Sequence, residues 1–548
     1  MNLTDTTQLR RNALQVTSRS VATTTLTGTT GNDILNAPGS VTAEVVGLQG
    51  NDTITLALSG DAVNAGQGND SITVGAVGNS SAVVSAGEGN DSIYFSGSVT
   101  NYNGNMLLNA GDDYLSNTSV QVIGGSIGGN QGADTISLDK GVLNAQIGGG
   151  SGNDKLVFTA GAFVNSTVFG GSNSDTIVFN PASTNLVTVQ SGDGHDVIQA
   201  TAGGSSTLVI AGGKGSDSIA VAQAGTINGG GLADTISFVA GGYAGGIVSG
   251  DGYATLSAGS GTGGAADGDD KISFTAGAKI AGATSVYGAG GDDSIYFAAT
   301  AAAANVNVYG GAGADLIGGS AVKFIGGVYA IDGGAGHDTI KIGSLTKSGT
   351  ILGGAGNDSI YIGGSANQSS IDGGSGNDSI RFLNAGQGAV SAVTAITIAG
   401  GSGSDSIYLG TMTKGSQSSV SVALSATLAN LSVGSGDTVA FLSGSISSIA
   451  NWLATDKIFV VSTLARFDTA ATGTNSGTSG KGSVAVYDNG ADLLIGIRAD
   501  QSATWTFLNV LGGDSLIKTT KFGIVGLSST NFGFDISSVN NKMNITFS

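Results

Sequence analysis

A chain of 548 residues with 96 glycines, two prolines and no cysteine lies far from globular averages, in which glycine makes up about 7 % and charged residues about 25 %. Only 11 % of the residues are charged while 40 % are hydrophobic, a balance that excludes a disordered polar tract. The net charge of −19 repels phosphates and so argues against nucleic acid as a partner, and no run of about 18 apolar residues suggests a membrane-spanning helix.

The acidity is specific in kind. Glutamate occurs only at Glu44 and Glu88 among 39 acidic residues. Helix surfaces favour glutamate, whereas tight turns and oxygen-ligand metal loops favour the shorter aspartate. The absence of cysteine rules out disulfides and thiolate metal sites and is compatible with export.

Taken in chain order, residues 1–25 carry Arg10, Arg11 and Arg19 among Thr, Ser and Asn, without the continuous apolar core of a cleaved secretory signal. They are expected to form a starter cap, the alternative being an anchoring or lattice-contact segment. From residue 26 to residue 444 a single unit recurs. Gly353-Gly354-Ala355-Gly356-Asn357-Asp358-Ser359-Ile360 returns as Gly373-Gly374-Ser375-Gly376-Asn377-Asp378-Ser379-Ile380, a period of twenty. Aligning every such segment places its aspartate at Asp33, Asp52, Asp70, Asp91, Asp113, Asp134, Asp154, Asp175, Asp196, Asp217, Asp234, Asp270, Asp293, Asp315, Asp338, Asp358, Asp378, Asp405 and Asp437, nineteen copies. Most spacings run from 17 to 23 residues, and the 36-residue interval before Asp270 holds a decayed copy, Gly250-Asp251-Gly252-Tyr253-Ala254-Thr255-Leu256, with Ala254 where the aspartate belongs.

The residues after each aspartate alternate, as in Asp175-Thr176-Ile177-Val178-Phe179 and Asp378-Ser379-Ile380-Arg381-Phe382. A period of two predicts a strand with one buried face. A second β-rich stretch, such as Asn305-Val306-Asn307-Val308-Tyr309 or Thr350-Ile351-Leu352, leads into the next glycine run. Each unit therefore predicts strand, turn, strand and glycine loop. Stacked, the units make an all-β chain, a right-handed parallel β-solenoid (β-roll) of about twenty-residue coils. No stretch of helical periodicity separates the strands, which excludes an α/β alternative.

From about residue 445 the glycine motif ceases and both tryptophans appear, Trp452 and Trp505. Val484-Ala485-Val486-Tyr487 and Leu493-Leu494-Ile495-Gly496-Ile497, joined through Asp488-Asn489-Gly490, predict a hairpin. Residues 445–548 are expected to form a small C-terminal β domain that covers the last sheet edges.

The run Gly-Gly-x-Gly-x-Asp followed by x-Ile-x resembles the hemolysin-type, or RTX, calcium-binding repeat, and the resemblance covers about Gly28 to Phe441. It implies that glycine-loop carbonyls and the aspartates of two stacked loops hold each Ca²⁺, which makes the nineteen aspartates candidate metal ligands. It also implies export through a type I secretion machinery that reads an uncleaved C-terminal signal, here in the tail ending Met543-Asn544-Ile545-Thr546-Phe547-Ser548. Family members usually carry the motif twice per coil. One copy per coil implies calcium along one edge, with the other closed by metal-free turns such as Asn180-Pro181-Ala182-Ser183-Thr184. Gly111-Asp112-Asp113, which has lost glycines, and the region around Ala254 are the weakest loops.

Electrostatics independent of the resemblance points the same way. Carboxylates on neighbouring coils about 5 Å apart repel by roughly 0.8 kcal/mol in water and about 3 kcal/mol at an effective dielectric of 20. A divalent cation between them removes that cost, and an oxygen-only donor set favours Ca²⁺ over Mg²⁺. The competing reading is that Asn-Asp and Gly-Asp simply make turns.

Catalytic constellations are sparse. His195 and His337 are the only two histidines, both directly before a repeat aspartate, where polar turn residues are expected. Zinc-protease His-Glu-x-x-His and Walker-type loops do not occur, and the Gly-x-Ser-x-Gly match at Gly124-Gly125-Ser126-Ile127-Gly128 lies in a glycine run without a strand-to-helix elbow. The chain is expected not to be an enzyme. By resemblance to RTX-type surface-layer (S-layer) subunits it is expected to be secreted, extracellular and at the cell surface, self-assembling into a two-dimensional lattice, with cell-surface polysaccharide or lipopolysaccharide as a further partner. The alternatives are a calcium-dependent adhesin or biofilm-matrix protein using the solenoid as a spacer and, third, a secreted hydrolase.

Overall fold

The computed structural model describes residues 24–409, apart from 98, 203–207, 223–224, 239–241, 252–267, 275–278, 299–305, 325–328, 346–348, 364–368, 383–395 and 404, together with the strands from Ala423–Leu428 to Lys542–Phe547. The described elements are strands throughout, and in the repeat region they pair in parallel to form a β-solenoid. The expected cap in residues 1–25, both tryptophans, Ala254 and Asp437 lie outside the described residues, Thr24 and Thr25 excepted. Two compact units divide the chain, residues 1–258 with 265–278, and residues 259–264 with 279–548.

In the first unit, strands that precede the glycine loops, such as Ala43–Gln49, Ala62–Gln67 and Val83–Glu88, pair in register to make one sheet. Strands that follow the aspartates, such as Thr53–Leu56, Ser71–Val74 and Ser92–Phe95, make a second. The register sets like residues on like: Ile54 on Ile72 and Ile72 on Ile93. All three side chains are fully buried, each contributing roughly 1.5–3 kcal/mol by leaving water. Further along, Phe158, Phe163 and Phe179 pack edge to face with centroids 5.1–5.9 Å apart, and Phe238 stacks on Phe274 at 4.5 Å.

Two features depart from the expectation. The edge opposite the glycine loops is not closed by turns alone: Gly78–Ser80, Val99–Tyr102, Gln121–Ile123, Gly141–Leu143, Ala162–Val164 and Ser183–Asn185 form a third parallel sheet. The segment read as the turn Asn180–Thr184 thus enters a strand at Ser183. Strands of three residues are too short for an alternating pattern to show. Second, the 36-residue interval inserts no coil into the second sheet, because Lys271–Phe274 pairs directly with Thr235–Phe238.

The second unit repeats the two-sheet scheme. Val306–Ala312, Tyr329–Ala335, Gly349–Ala355 and Ser369–Ser375 make one sheet, and Leu316–Phe324, Thr339–Leu345, Ser359–Ile362 and Ser379–Phe382 the other. Ile331, Ile351 and Ile371 on the first and Ile340, Ile360 and Ile380 on the second are buried. Beyond residue 480 antiparallel pairs appear beside parallel ones: Ser483–Asp488 with Asp492–Arg498, and that strand with Thr506–Leu511. The predicted hairpin strands are these first two, and Gly533–Val539 pairs antiparallel with Lys542–Phe547.

One column of left-handed residues closes the third-sheet corner: Gly124 (φ 71°), Asn144 (φ 53°), Asn165 (φ 47°) and Leu186 (φ 52°). Glycine and asparagine tolerate that region, whereas a branched side chain is strained there by roughly 1–2 kcal/mol. The Asn165 amide also donates to Asn144 Oδ1 at 2.9 Å, while Leu186 is 62 % exposed and gains little from burial. Leu186→Asn is therefore expected to stabilise the chain by about 1 kcal/mol, read as a raised thermal midpoint. Asn165→Leu should lower it.

Candidate metal centre

The glycine loops place each aspartate by leaving no alternative. Gly354 (φ 112°) and Gly356 (φ 139°), like Gly374 (φ 104°) and Gly376 (φ 127°), adopt backbone conformations that side chains disfavour. Gly353 is required for another reason: a Cβ there would lie 2.7 Å from Asp358 Oδ2 and nearer still to the Gly373 carbonyl oxygen. The aspartate side chain folds back over this glycine into the coil.

Consequently the carboxylates point inward. Asp52, Asp70, Asp91, Asp113, Asp134, Asp154, Asp175, Asp196, Asp217, Asp234, Asp270, Asp293, Asp315, Asp338, Asp358, Asp378 and Asp405 are all buried, at 1–2 % exposure. Within each unit their Oδ1 atoms accept the backbone N–H of the aspartate one coil earlier, as in Asp33 to Asp52 at 2.8 Å, Asp52 to Asp70 at 2.7 Å, Asp154 to Asp175 at 2.7 Å and Asp358 to Asp378 at 2.8 Å. The glycine-poor loop Gly111-Asp112-Asp113 keeps this geometry, with Asp91 N donating to Asp113 Oδ1 at 2.6 Å. Across the 36-residue interval, Asp234 N donates to Asp270 Oδ1 at 2.6 Å.

A second rail runs in the opposite sense through the residue before the aspartate wherever that residue carries a side-chain acceptor. Asn51 N donates to Asn32 Oδ1 at 2.8 Å, Asn69 N to Asn51 Oδ1 at 2.9 Å and Asn377 N to Asn357 Oδ1 at 2.7 Å. His195 and His337 occupy this rail, their Nδ1 atoms accepting from Ser216 N at 2.9 Å and Asn357 N at 2.8 Å. Spacing placed them beside the aspartates but did not disclose this acceptor role, which the asparagine at seven of the nineteen equivalent positions does signal.

The other carboxylate oxygen is the functional feature. Oδ2 of Asp52, Asp70, Asp91, Asp113, Asp134, Asp154, Asp175, Asp217, Asp315, Asp338, Asp358 and Asp378 is buried with no hydrogen-bond partner, and such an atom costs about 1–3 kcal/mol, more if charged. Asp33 differs: its Oδ2 accepts Thr29 N at 2.6 Å and Thr29 Oγ1 at 2.9 Å, and it is only half-buried. The described members of the predicted set therefore divide into a ladder of deeply buried carboxylates and Asp33, which is less buried and has its Oδ2 hydrogen-bonded.

This donor set fits a hard divalent cation. Among the described residues no three carboxylate or imidazole side chains converge, so carboxylates alone cannot hold an ion. Backbone carbonyls complete the set: beside each first loop glycine lie its own coil's Oδ2 and the carbonyl oxygen one coil on, Gly149 O with Asp134, Gly170 O with Asp154, Gly353 O with Asp338 and Gly373 O with Asp358. A carboxylate oxygen with no hydrogen-bond donor and a carbonyl oxygen from the next coil thus lie beside the same glycine, the kind of donors that oxygen-ligand cation sites use.

Burial shifts these acids. Desolvation, partly offset by the backbone N–H of the preceding aspartate and reinforced by neighbouring carboxylates, raises Asp134 and Asp175 from 3.8 to about 8, and Asp91 and Asp378 to about 7. Desolvation likewise raises Asp154 and Asp217 to about 6. A carboxyl whose folded pKa lies above its unfolded one binds protons more tightly when folded, so its stability contribution is complete below about pH 4 and lost as pH rises through 6 to 8. The metal-free chain is accordingly expected to melt at a higher temperature at pH 5 than at pH 8, with calcium removing much of the difference. A metal-free melting temperature that climbs from pH 5 to pH 8 would contradict the buried-carboxylate ladder.

No protein-family model matches the chain, and no curated protein matches it. Among solved structures, it is similar to the X-ray crystal structure of a hyperactive, Ca²⁺-dependent, β-helical antifreeze protein from an Antarctic bacterium, at 20 % identity over 70 % of this chain and 85 % of that one, with a TM-score of 0.26.

Proposed function

We propose that the chain is a calcium-dependent structural protein of the RTX-repeat kind, secreted through a type I exporter and assembled at a bacterial cell surface as an S-layer subunit rather than acting as an enzyme. The observation that carries this reading is the ladder of buried, unpartnered Oδ2 atoms facing backbone carbonyls. Asp338, Asp358 and Asp378, with the carbonyls of Gly353 and Gly373, would hold ions in the second unit, and Asp134 and Asp154 with Gly149 and Gly170 in the first. Bound calcium supplies the positive charge that lets neighbouring carboxylates stay ionised and buried together. Sites of the extracellular class have dissociation constants of about 10⁻⁴ to 10⁻³ M. Such a chain stays unfolded in calcium-poor cytosol, which suits export, and folds outside. A surface low in charge and rich in Gly, Ser, Thr and Asn suits lateral contact between copies, with polysaccharide or lipopolysaccharide as the anchor.

Chelation is expected to abolish the β-sheet circular dichroism, and millimolar calcium to restore it. Asp358→Ala with Asp378→Ala should raise the calcium midpoint. Asp358→Asn with Asp378→Asn keeps a hydrogen-bond acceptor but removes the charge, so it should also raise the midpoint while making the metal-free chain more stable than wild type. An unchanged spectrum in excess chelator, or asparagine variants with the wild-type midpoint, would leave the aspartates as turn formers only. Negative-stain microscopy in calcium tests assembly: ordered sheets support the lattice, whereas isolated rods would favour a spacer for an adhesin.

A further inference from the structure

In the second unit each sheet has an outward-facing central column. On the sheet that precedes the loops the register runs Tyr287, Tyr309, Asp332, Leu352, Asp372. On the sheet that follows them it runs Tyr296, Gly318, Lys341, Tyr361, Arg381. Each residue of the first column is nine positions before its counterpart in the same coil. Level by level the pairs are Tyr287 with Tyr296, Tyr309 with Gly318, Asp332 with Lys341, Leu352 with Tyr361, and Asp372 with Arg381. They match in charge at two levels, in apolar character at one, and in size at another, a large ring facing a glycine. The two members of a pair cannot meet within one molecule, because alternate residues on each sheet point into the core between them.

We propose that these two columns are the two sides of one interface between copies of this chain, a copy's Tyr287–Asp372 column seating on the Tyr296–Arg381 column of a neighbour with axes parallel and coils level. The charges are placed for it. Lys341 and Arg381 lie two coils apart, about 10 Å along the axis, and Asp332 and Asp372 lie two coils apart in the same coils. The outward positions of the Lys341 sheet carry no carboxylate in any described coil, so its cations face outward beside hydroxyls (Thr339, Ser359, Ser379). Lys341 is exposed and sits 6.0 Å over the Tyr361 ring, and Tyr296 is 52 % exposed. On the other column Tyr287 and Tyr309 stack at 4.9 Å, and Leu352 is 36 % exposed. Small flanking residues, Ala330, Thr350 and Ser370 on one side, allow close approach.

Because the two columns differ, the contact is heterologous. It joins each copy to the next by translation, and so it propagates into an open row instead of closing into a dimer. In the first unit the same nine-residue offset joins uncharged pairs such as Asn64 with Thr73 and Gln190 with Gln199, so the row is specified by the second unit. The inference rests on the lattice reading and supplies its contact.

Charge exchange in the full chain with calcium tests it, with circular dichroism as the folding control. Lys341→Glu with Arg381→Glu should raise the concentration needed for assembly at least tenfold, as should Asp332→Lys with Asp372→Lys, both measured by sedimentation and negative-stain microscopy. All four substitutions in one chain, or an equimolar mixture of the two double variants, should restore assembly. Folded double variants that assemble as wild type does, or a folded quadruple variant that fails to assemble, would overturn the interface and leave the lattice standing. A wild-type chain that stays monomeric in calcium would remove both.

Discussion

The fold turns on a buried carboxylate repeated from coil to coil, and in twelve of these only one of the two oxygens meets a hydrogen-bond donor. Oδ1 takes the N–H of the preceding coil's aspartate, while Oδ2 is enclosed beside carbonyl oxygens. Replacing the aspartate by an apolar residue would strand a backbone N–H in the interior, and replacing the first loop glycine would push a methyl group into the oxygens. Both residue types are thereby fixed by the same few ångströms of space. What the protein does not satisfy internally is the second oxygen, and a proton or a cation answers it while also neutralising the buried charge.

From this follows how neighbouring coils are joined. The aspartate rail donates forward, from each coil to the carboxylate of the next, and the asparagine rail donates backward. Where both rails run, a loop is clasped in both directions, so such a coil gains its full set of bonds only when both neighbours are in place. Stability of this form is a sum of nearest-neighbour terms, and Asp33 lies in the first of the described coils. There Thr29 supplies its own N–H and hydroxyl to Asp33 Oδ2, which spares the end of the ladder the unsatisfied oxygen carried by the coils behind it.

The period, the parallel stacking and the inward Ile and Leu columns were legible because each depends on local chemistry repeated many times. Asp358 and Asp378 announce the same loop twice, and Ile360 over Ile380 follows from the shared register. The third sheet was not legible. Its strands are three or four residues long, and its corner is built from Asn144 and Asn165 in left-handed conformation, residues that read as turns. The interval before Asp270 misled because a decayed glycine run implies a coil, whereas pairing is decided by the strands, and Thr235–Phe238 meets Lys271–Phe274 with the same Ile and Phe positions aligned. The division of labour between Oδ1 and Oδ2 was hidden for a different reason: composition shows that a carboxylate is present but not which backbone groups approach it from the adjacent coil.

Placing the acids inside also governs what the outside can do. With the repeat aspartates withdrawn into the loops, few acidic side chains are left at the outward sheet positions, Asp332 and Asp372 among them. A parallel solenoid sets those positions in straight columns, one residue per coil, at a fixed interval. Two columns on opposite faces share that interval by construction, so any sequence in which their residues match level by level makes copies complementary under a simple shift. Asp332 with Lys341 and Asp372 with Arg381 satisfy that condition at two levels separated by an apolar one. The same geometry that aligns carboxylates within a coil stack therefore supplies, without further structure, a ruler for aligning one molecule against the next.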